Sequence, residues 1–159
     1  FYPCLPDVFA YTDPDLSFNP DLPHDFLNVL SDLADTFGVF KAGFALRLLE
    51  DEVISDATFE LSRSRSPAIE MRYSIPEWES RFWLKRLVHR HLEVYAAPID
   101  TTFAVYRKTN YRGDFLDSVR VGGSFGAVHL PWYPALDLLS REDQNAYLKG
   151  NRSTTWGSR

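Results

Sequence analysis

Cysteine is all but missing from this chain: Cys4 stands alone among 159 residues. One thiol cannot close an internal disulfide, which excludes a disulfide scaffold and a paired-Cys zinc centre and suits a reducing compartment such as the cytoplasm. Cys4 is also a poor nucleophile, since it lies in Tyr2-Pro3-Cys4-Leu5-Pro6 with no base beside it. No run of about 18 apolar residues occurs, so no membrane span is expected. The residues present carry no signal-peptide pattern, and the chain opens on Phe1 rather than Met, as a trimmed N-terminus would. A phosphate loop ending in Lys-Ser/Thr, a nucleophile elbow and a zincin helix are all lacking. No cofactor or metal is therefore expected.

Positive charge is missing from the front of the chain. Residues 1–40 hold Asp7, Asp13, Asp15, Asp21, Asp25, Asp32 and Asp35, and no Lys, Arg or Glu. The whole chain has 17 basic and 22 acidic residues, a net −5, so the first forty residues carry −7 and the remainder +2. An acidic front repels nucleic acid and favours a basic protein partner.

What is present is enough to fold. A chain of this length forms one domain and buries about 70% of its unfolded surface. The apolar content of 45% and aromatic content of 15% supply a core without staples. The expected domain runs over residues 1–150, with a lead-in over 1–23 and a mobile tail over 151–159 in which Trp156 can dock.

The best-specified element is Ser74–Tyr95. Ser74-Ile75-Pro76-Glu77 has the form of a capping box, Tyr73 and Trp78 occupy hydrophobic-staple positions, and Pro76 sits in the first turn. Trp83, Leu84, Leu87, Val88, His91, Leu92 and Tyr95 recur at helical spacing, which predicts one long helix with Arg81, Lys85, Arg86 and Arg90 on its wet face. A second helix is predicted over Pro23–Phe37, with Phe26, Leu27, Leu30, Leu33, Ala34 and Phe37 inward and Gly38 as C-terminal cap. Asp32 and Asp35 sit near the negative end of its dipole, a small cost that hints at a use for its acidic face. A short last helix begins after Ser140 and closes at Gly150.

Alternation of period two marks strands at Phe44–Leu48, Thr58–Ser62 and Ala68–Tyr73, then at Thr102–Arg107, Phe115–Val121 and Phe125–Leu130. Gly122-Gly123 reads as a hairpin turn, and Pro131-Trp132-Tyr133-Pro134 breaks the sheet. The order α-βββ-α-βββ-α gives an α+β fold of antiparallel sheets, each wet on one face and packed on helices. Phe40-Lys41-Ala42 with Phe44-Ala45-Leu46, set beside Tyr95-Ala96-Ala97 with Phe103-Ala104-Val105, hints at an internal duplication. Residues 1–23 carry Pro3, Pro6, Pro14, Pro20 and Pro23, which deny them helix and ladder alike. Their aromatics fit an extended arm lying across a surface, its own or a neighbour's.

Candidate chemistry is sparse. Asp13, Asp15, Ser17, Asn19 and Asp21 place oxygen ligands at alternate positions. Phe18 and His24 stand where a calcium loop needs Gly and Glu, so turn-forming Asx residues are the better reading. His89 and His91, two apart on a helix, point away from each other and cannot share a metal. His91, within the apolar stripe, reads as a hydrogen-bonded core residue. His129 and His89 are the two candidate bases should a distant carboxylate meet either of them.

Glu50, Asp51, Glu52 and Asp56 form a compact acidic loop, readable as a solvated connection or as an anionic contact for Lys and Arg. Trp132 and Tyr133 are candidate aromatic anchors, or core. The expected function is a small acidic protein-binding module that occludes the site of a basic partner. Bacterial immunity proteins that neutralise toxins are similar in size, sign of charge and want of catalytic motif. Two alternatives stand beside it: a metal-independent hydrolase using a His–carboxylate pair, and a subunit of a larger viral or phage assembly whose N-terminal arm wraps a neighbour.

Overall fold

The computed structural model describes residues 2–61, 71–136 and 140–150. In chain order the strands and α-helices are β1 (Val8–Tyr11), β2 (Leu16–Phe18), α1 (Phe26–Phe37), β3 (Lys41–Phe44), β4 (Thr58–Leu61), β5 (Met71–Ser74), α2 (Ile75–Ser80), β6 (Arg86–Leu87), β7 (Val94–Ala96), β8 (Ala104–Arg107), β9 (Ser118–Val121), β10 (Ala127–His129) and α3 (Arg141–Gly150). Helices and strands are mixed in α+β fashion. No helix among the described residues is long and apolar enough to cross a membrane.

Helix α1 forms as its pattern predicts. Leu30, Leu33 and Ala34 are buried, and Gly38 takes a left-handed φ of 63° from which its N–H reaches the carbonyls of Ala34 and Asp35. Leu27 departs from the predicted stripe and is exposed. The capping box at Ser74 is present in both directions. The Ser74 N–H donates to Glu77 Oε2 at 2.8 Å, the Glu77 N–H donates to Ser74 Oγ at 3.4 Å, and Tyr73 packs on Trp78.

The long helix begun by that box does not continue. It ends at Ser80, tightens into a 3-10 turn over Arg81–Trp83, and gives way to β6 and β7. Leu84 and Val88, expected inside, are 81% and 99% exposed, and His91 is exposed as well. The competing pattern is Val94-Tyr95-Ala96, whose β-branched and aromatic residues pair antiparallel with β9 and bury Val94 completely. Sheet pairing outweighs a helical stripe with intermediate propensities.

The main sheet has six strands in the order β1-β8-β3-β9-β7-β6. It is mixed, because β3 pairs parallel to β9 and antiparallel to β8. The remaining strands form separate pairs. β4 with β5 is an antiparallel hairpin whose connection lies outside the described residues, as do Ala68, Ile69 and Glu70 of the expected third strand. β10 pairs with β2 rather than with β9, so Gly122-Gly123 is not a hairpin turn; it leads into a 3-10 turn over Gly123–Phe125. Gly122 itself lies where a Cβ would come within 3.0 Å of the Trp83 ring. The observed sequence of elements thus departs from the α-βββ-α-βββ-α expectation, and the strand expected over residues 44–48 is β3 at Lys41–Phe44.

The N-terminal segment also corrects its reading. β1 and β2 are strands, paired in register with β8 and β10 of the same chain. Pro6 and Pro14 flank β1 without interrupting it, and an edge strand needs ladder donors on one side only.

The central strands are not wet on one face as alternation suggests; β3 and β9 are buried throughout. One face of the sheet, made by Ala42, Phe44, Val94, Val105, Val119 and Val121, packs on α1 in the larger core. The opposite face carries Lys41, Tyr106, Ser118 and Arg120. Three of these side chains, Lys41, Ser118 and Arg120, meet one crossing segment, Ala97 to Asp100. Ser118 Oγ lies 2.9 Å from the Ala97 carbonyl and accepts from the Ile99 N–H at 2.8 Å; Arg120 Nε donates to the Pro98 carbonyl; Lys41 Nζ donates to the Asp100 carbonyl at 3.4 Å. Burying these three polar side chains is tolerable because backbone partners, and Glu79 for Arg120, replace water.

Candidate functional site

The polar face of the sheet ends, toward β1, in aromatic residues. Phe9 stacks on Tyr106 with ring centroids 4.8 Å apart, and Phe40 meets Tyr106 edge-on at 5.2 Å. The segment after β8 contributes Tyr111, 4.7 Å from Phe40, and Phe115. Together they line an open, largely apolar groove of about 540 Å³, to which Tyr11 also contributes. Tyr11, Tyr111 and Phe115 are each about half exposed.

Local chemistry holds the 108–117 segment in place. A 3-10 turn covers Lys108–Asn110, the Asn110 amide donates to the Ala34 carbonyl at the end of α1 and to Asp35, and Asp114 accepts from the Leu116 N–H at 2.8 Å. Asp35 also receives both ends of the Arg107 guanidinium, at 2.8 and 2.6 Å. These bonds hold its carboxyl below the usual range, the Arg107 hydrogen bond contributing most. On the acidic face of α1, Asp35 therefore fastens the start of the groove segment through Arg107 and Asn110.

Lys41 lies behind two of the rings, Phe115 and Tyr106, without lining the groove. Its side chain is fully buried, and Nζ sits 3.6 Å from the Phe115 ring centroid and 5.1 Å from that of Tyr106. Burial lowers its pKa to about 8, with Asp100 and Asp114 acting the other way. Burial likewise pushes the Tyr106 phenol up to about 12. A hollow of this kind binds apolar or aromatic groups by stacking, with few polar contacts to orient them. Its margin is acidic on balance: Asp7, Asp100 and Asp114 are exposed and lie within two positions of groove residues in sequence, against the exposed Arg112 beside Tyr111.

A second charged centre lies deeper. Glu79 of α2 meets Arg120 of β9 at 2.6 Å, both side chains almost fully buried, with the Phe82 ring 4.1 Å from the guanidinium. Burial raises the Glu79 carboxyl to about 7, partly offset by Arg120. The pair ties α2 to the sheet and does not line the groove.

The residues singled out from sequence fall in three places. Glu50, Asp51 and Asp56 are exposed on their loop and Glu52 is half-buried. The loop is pinned from below, since the Tyr133 hydroxyl accepts from the Leu49 N–H at 2.8 Å and the Trp132 carbonyl accepts from the Ser55 N–H at 2.8 Å. Trp132 and Tyr133 are only 3% and 2% exposed, so they support the acidic loop as core and are not surface anchors. His89 is a turn residue whose Nδ1 accepts from the Leu92 N–H at 3.2 Å. His129 does meet a carboxylate: Nε2 lies 3.6 Å from Asp15 Oδ2, both side chains mostly buried. Burial lowers the His129 pKa against the pull of Asp15 and Asp13, and raises the Asp13 carboxyl. Neither the groove nor a second hollow beside α1 is lined by His129. In the 13–21 segment Asn19 Oδ1 accepts from the Asp21 N–H, an Asx turn, and no three acidic, His or Cys groups converge as metal ligands would among the described residues.

The groove is not apparent from the sequence because aromatics in a strand pattern read as core. The available signal was Tyr111-Arg112-Gly113-Asp114-Phe115-Leu116, three large apolar residues placed around a turn where polar ones are usual. Comparison with protein-family models, with curated proteins and with solved structures returns no match.

Proposed function

We propose that this chain is a small acidic protein-binding module that recognises a more basic polypeptide, acting as an inhibitor or immunity-type protein by covering its partner's site. The observation that carries this reading is the aromatic groove with carboxylates at its margin. Half-exposed Tyr11, Tyr111 and Phe115 offer large contact area at little entropic cost. Asp7, Asp100 and Asp114 favour Lys or Arg flanking whatever apolar side chain enters, and they accelerate encounter. The loop of Glu50, Asp51, Glu52 and Asp56 is a second anionic contact for the same partner. The lone exposed Cys4 fits a reducing compartment, and the cytoplasm is the location that accords with it.

The test uses a synthetic peptide with an aromatic core flanked by lysines, measured by calorimetry. Phe115→Ala should weaken its binding about tenfold or more. Asp100→Lys with Asp114→Lys should weaken it further and reduce the loss of affinity on adding salt. Equal affinity for a peptide with glutamates in place of the lysines would refute the electrostatic part. Charge reversal at Glu50 and Asp51 reports whether the loop takes part.

The His129–Asp15 contact favours a second reading, a metal-independent hydrolase with His129 as base. It predicts ester hydrolysis by the purified chain that disappears in His129→Gln. In the assembly reading the N-terminal arm would wrap a neighbour, and size-exclusion mass tests it. Two stretches of that arm, β1 and β2, pair with β8 and β10 of this chain, which leaves the rest of it for such a contact.

A further inference from the structure

β1 ends the six-stranded sheet, and among the described residues no strand lies on its outer side. The register fixes which of its backbone groups face outward. The Lys108 N–H donates to the Asp7 carbonyl, and Val8 stands opposite Arg107. In an antiparallel ladder, hydrogen-bonded and non-hydrogen-bonded pairs alternate. Phe9 and Tyr11 therefore bond to β8, while Val8 and Ala10 turn their N–H and C=O groups toward the open edge. The Arg107 N–H agrees, since it donates to the Phe40 carbonyl on the far side of β8.

The same strand separates two hollows. On the α1 side, a hollow of about 350 Å³ is lined by Val8, Ala10, Leu27 and Ser31. On the other side lies the aromatic groove, with Phe9 and Tyr11 in its wall. Val8, Tyr11 and Leu27 are 38%, 55% and 46% exposed. An added strand sends alternate side chains to opposite faces, so it would fill one hollow with odd residues and the other with even ones.

Charge selects the occupant. The edge lies between Asp7 and Asp13, with the acidic α1 beside it and no cation within residues 1–40. Of the cations in the adjoining segment, Arg107 is paired with Asp35, and Lys108 and Arg112 donate to backbone carbonyls of Leu5, Thr109 and Tyr111. A second copy of this chain would bring the same aspartates against them, which disfavours self-pairing.

From these placements we infer that β1 is a strand-addition site for an extended segment of a basic partner, with consecutive apolar residues flanked by Lys or Arg. This rests on the protein-binding reading and specifies how the partner is held.

The probe is the peptide Lys-Lys-Val-Phe-Val-Phe-Lys-Lys with blocked ends, added to the full chain. Hydrogen exchange should show the Val8 and Ala10 amides fast alone and protected when the peptide is bound. N-methylation of alternate peptide residues should cost about tenfold or more in one register and little in the other, through lost backbone bonds. Ala10→Pro removes an outward donor that β8 does not use, so the variant should fold with unchanged circular dichroism and bind about tenfold more weakly. If the peptide binds and Phe115→Ala weakens it, while Ala10→Pro, N-methylation and Val8/Ala10 exchange have no effect, strand addition is overturned and the groove stands. If the peptide does not bind at all, both readings fall.

Discussion

Replacing Lys41 with methionine should make this protein more stable at neutral pH, although it removes a charge and a hydrogen bond. The ammonium has no exposure, and its polar partner is a distant carbonyl at 3.4 Å. A pKa lowered from 10.5 to about 8 corresponds to about 3 kcal/mol of destabilisation at about 1.4 kcal/mol for each pH unit. The Phe115 and Tyr106 rings return part of this through cation–π attraction, about 1–2 kcal/mol when desolvated. Methionine keeps the stem and fills the site, so Lys41→Met should gain about 1–3 kcal/mol at pH 7. The pH dependence follows from the direction of the shift. Between about 8 and 10.5 the unfolded state holds the proton and the folded state has lost it, so the Lys41 contribution to stability rises with pH through that window and its full cost is present below it. The buried tyrosines have raised pKa values and act the other way above pH 10. The informative quantity is therefore the difference between wild type and variant in urea unfolding at pH 7 and pH 10. It should shrink as pH rises. A variant less stable than wild type by 1 kcal/mol or more at pH 7, or a difference that does not change with pH, would refute the view that a poorly compensated charge is buried there.

Glu79 gives the opposite slope. Its folded pKa of about 7 exceeds the ordinary 4.5, so the folded state holds the proton through that window and stability falls as pH rises from about 4.5 to 7. Glu79→Gln should flatten this part of the curve, whereas Glu79→Ala, which leaves Arg120 buried without its carboxylate, should cost about 3–5 kcal/mol in chemical denaturation. Ser74→Ala should lose about 1 kcal/mol by removing one arm of the capping box, and a thermal scan should show no larger effect. In the groove, Phe115→Ala should weaken binding of the lysine-flanked peptide and, because it removes the ring nearest Lys41 Nζ, should also lower stability by about 1 kcal/mol, a shift of a few degrees in a thermal scan.

Local rules were legible wherever local interactions decide. The α1 stripe, its Gly38 cap, the Ser74 capping box and the strands near residues 104–107 and 118–121 all follow from spacing and end chemistry. The misreadings share one cause. Residues 81–95 carry both a helical stripe and a strand pattern, and only the vacant place beside β9 chooses between them. Val8–Tyr11 lay hidden among prolines because the sequence does not say that an edge needs donors on one side only. Trp132 and Tyr133 were separable as anchor or core only by what lies over them, the acidic loop they hold.

The sequence by itself determined where helix α1 ends and where helix α2 begins, the impossibility of an internal disulfide with one cysteine, and the concentration of negative charge in the first forty residues. These depend on neighbours a few positions apart or on composition. Tertiary structure alone decided that Lys41, Ser118 and Arg120 share one buried face, that Tyr11, Tyr111 and Phe115 open onto one groove, and that β1 is an edge. Those facts depend on strand order, and strand order is set by competition among long-range pairings, each closing a loop whose cost and reward no short stretch of residues encodes.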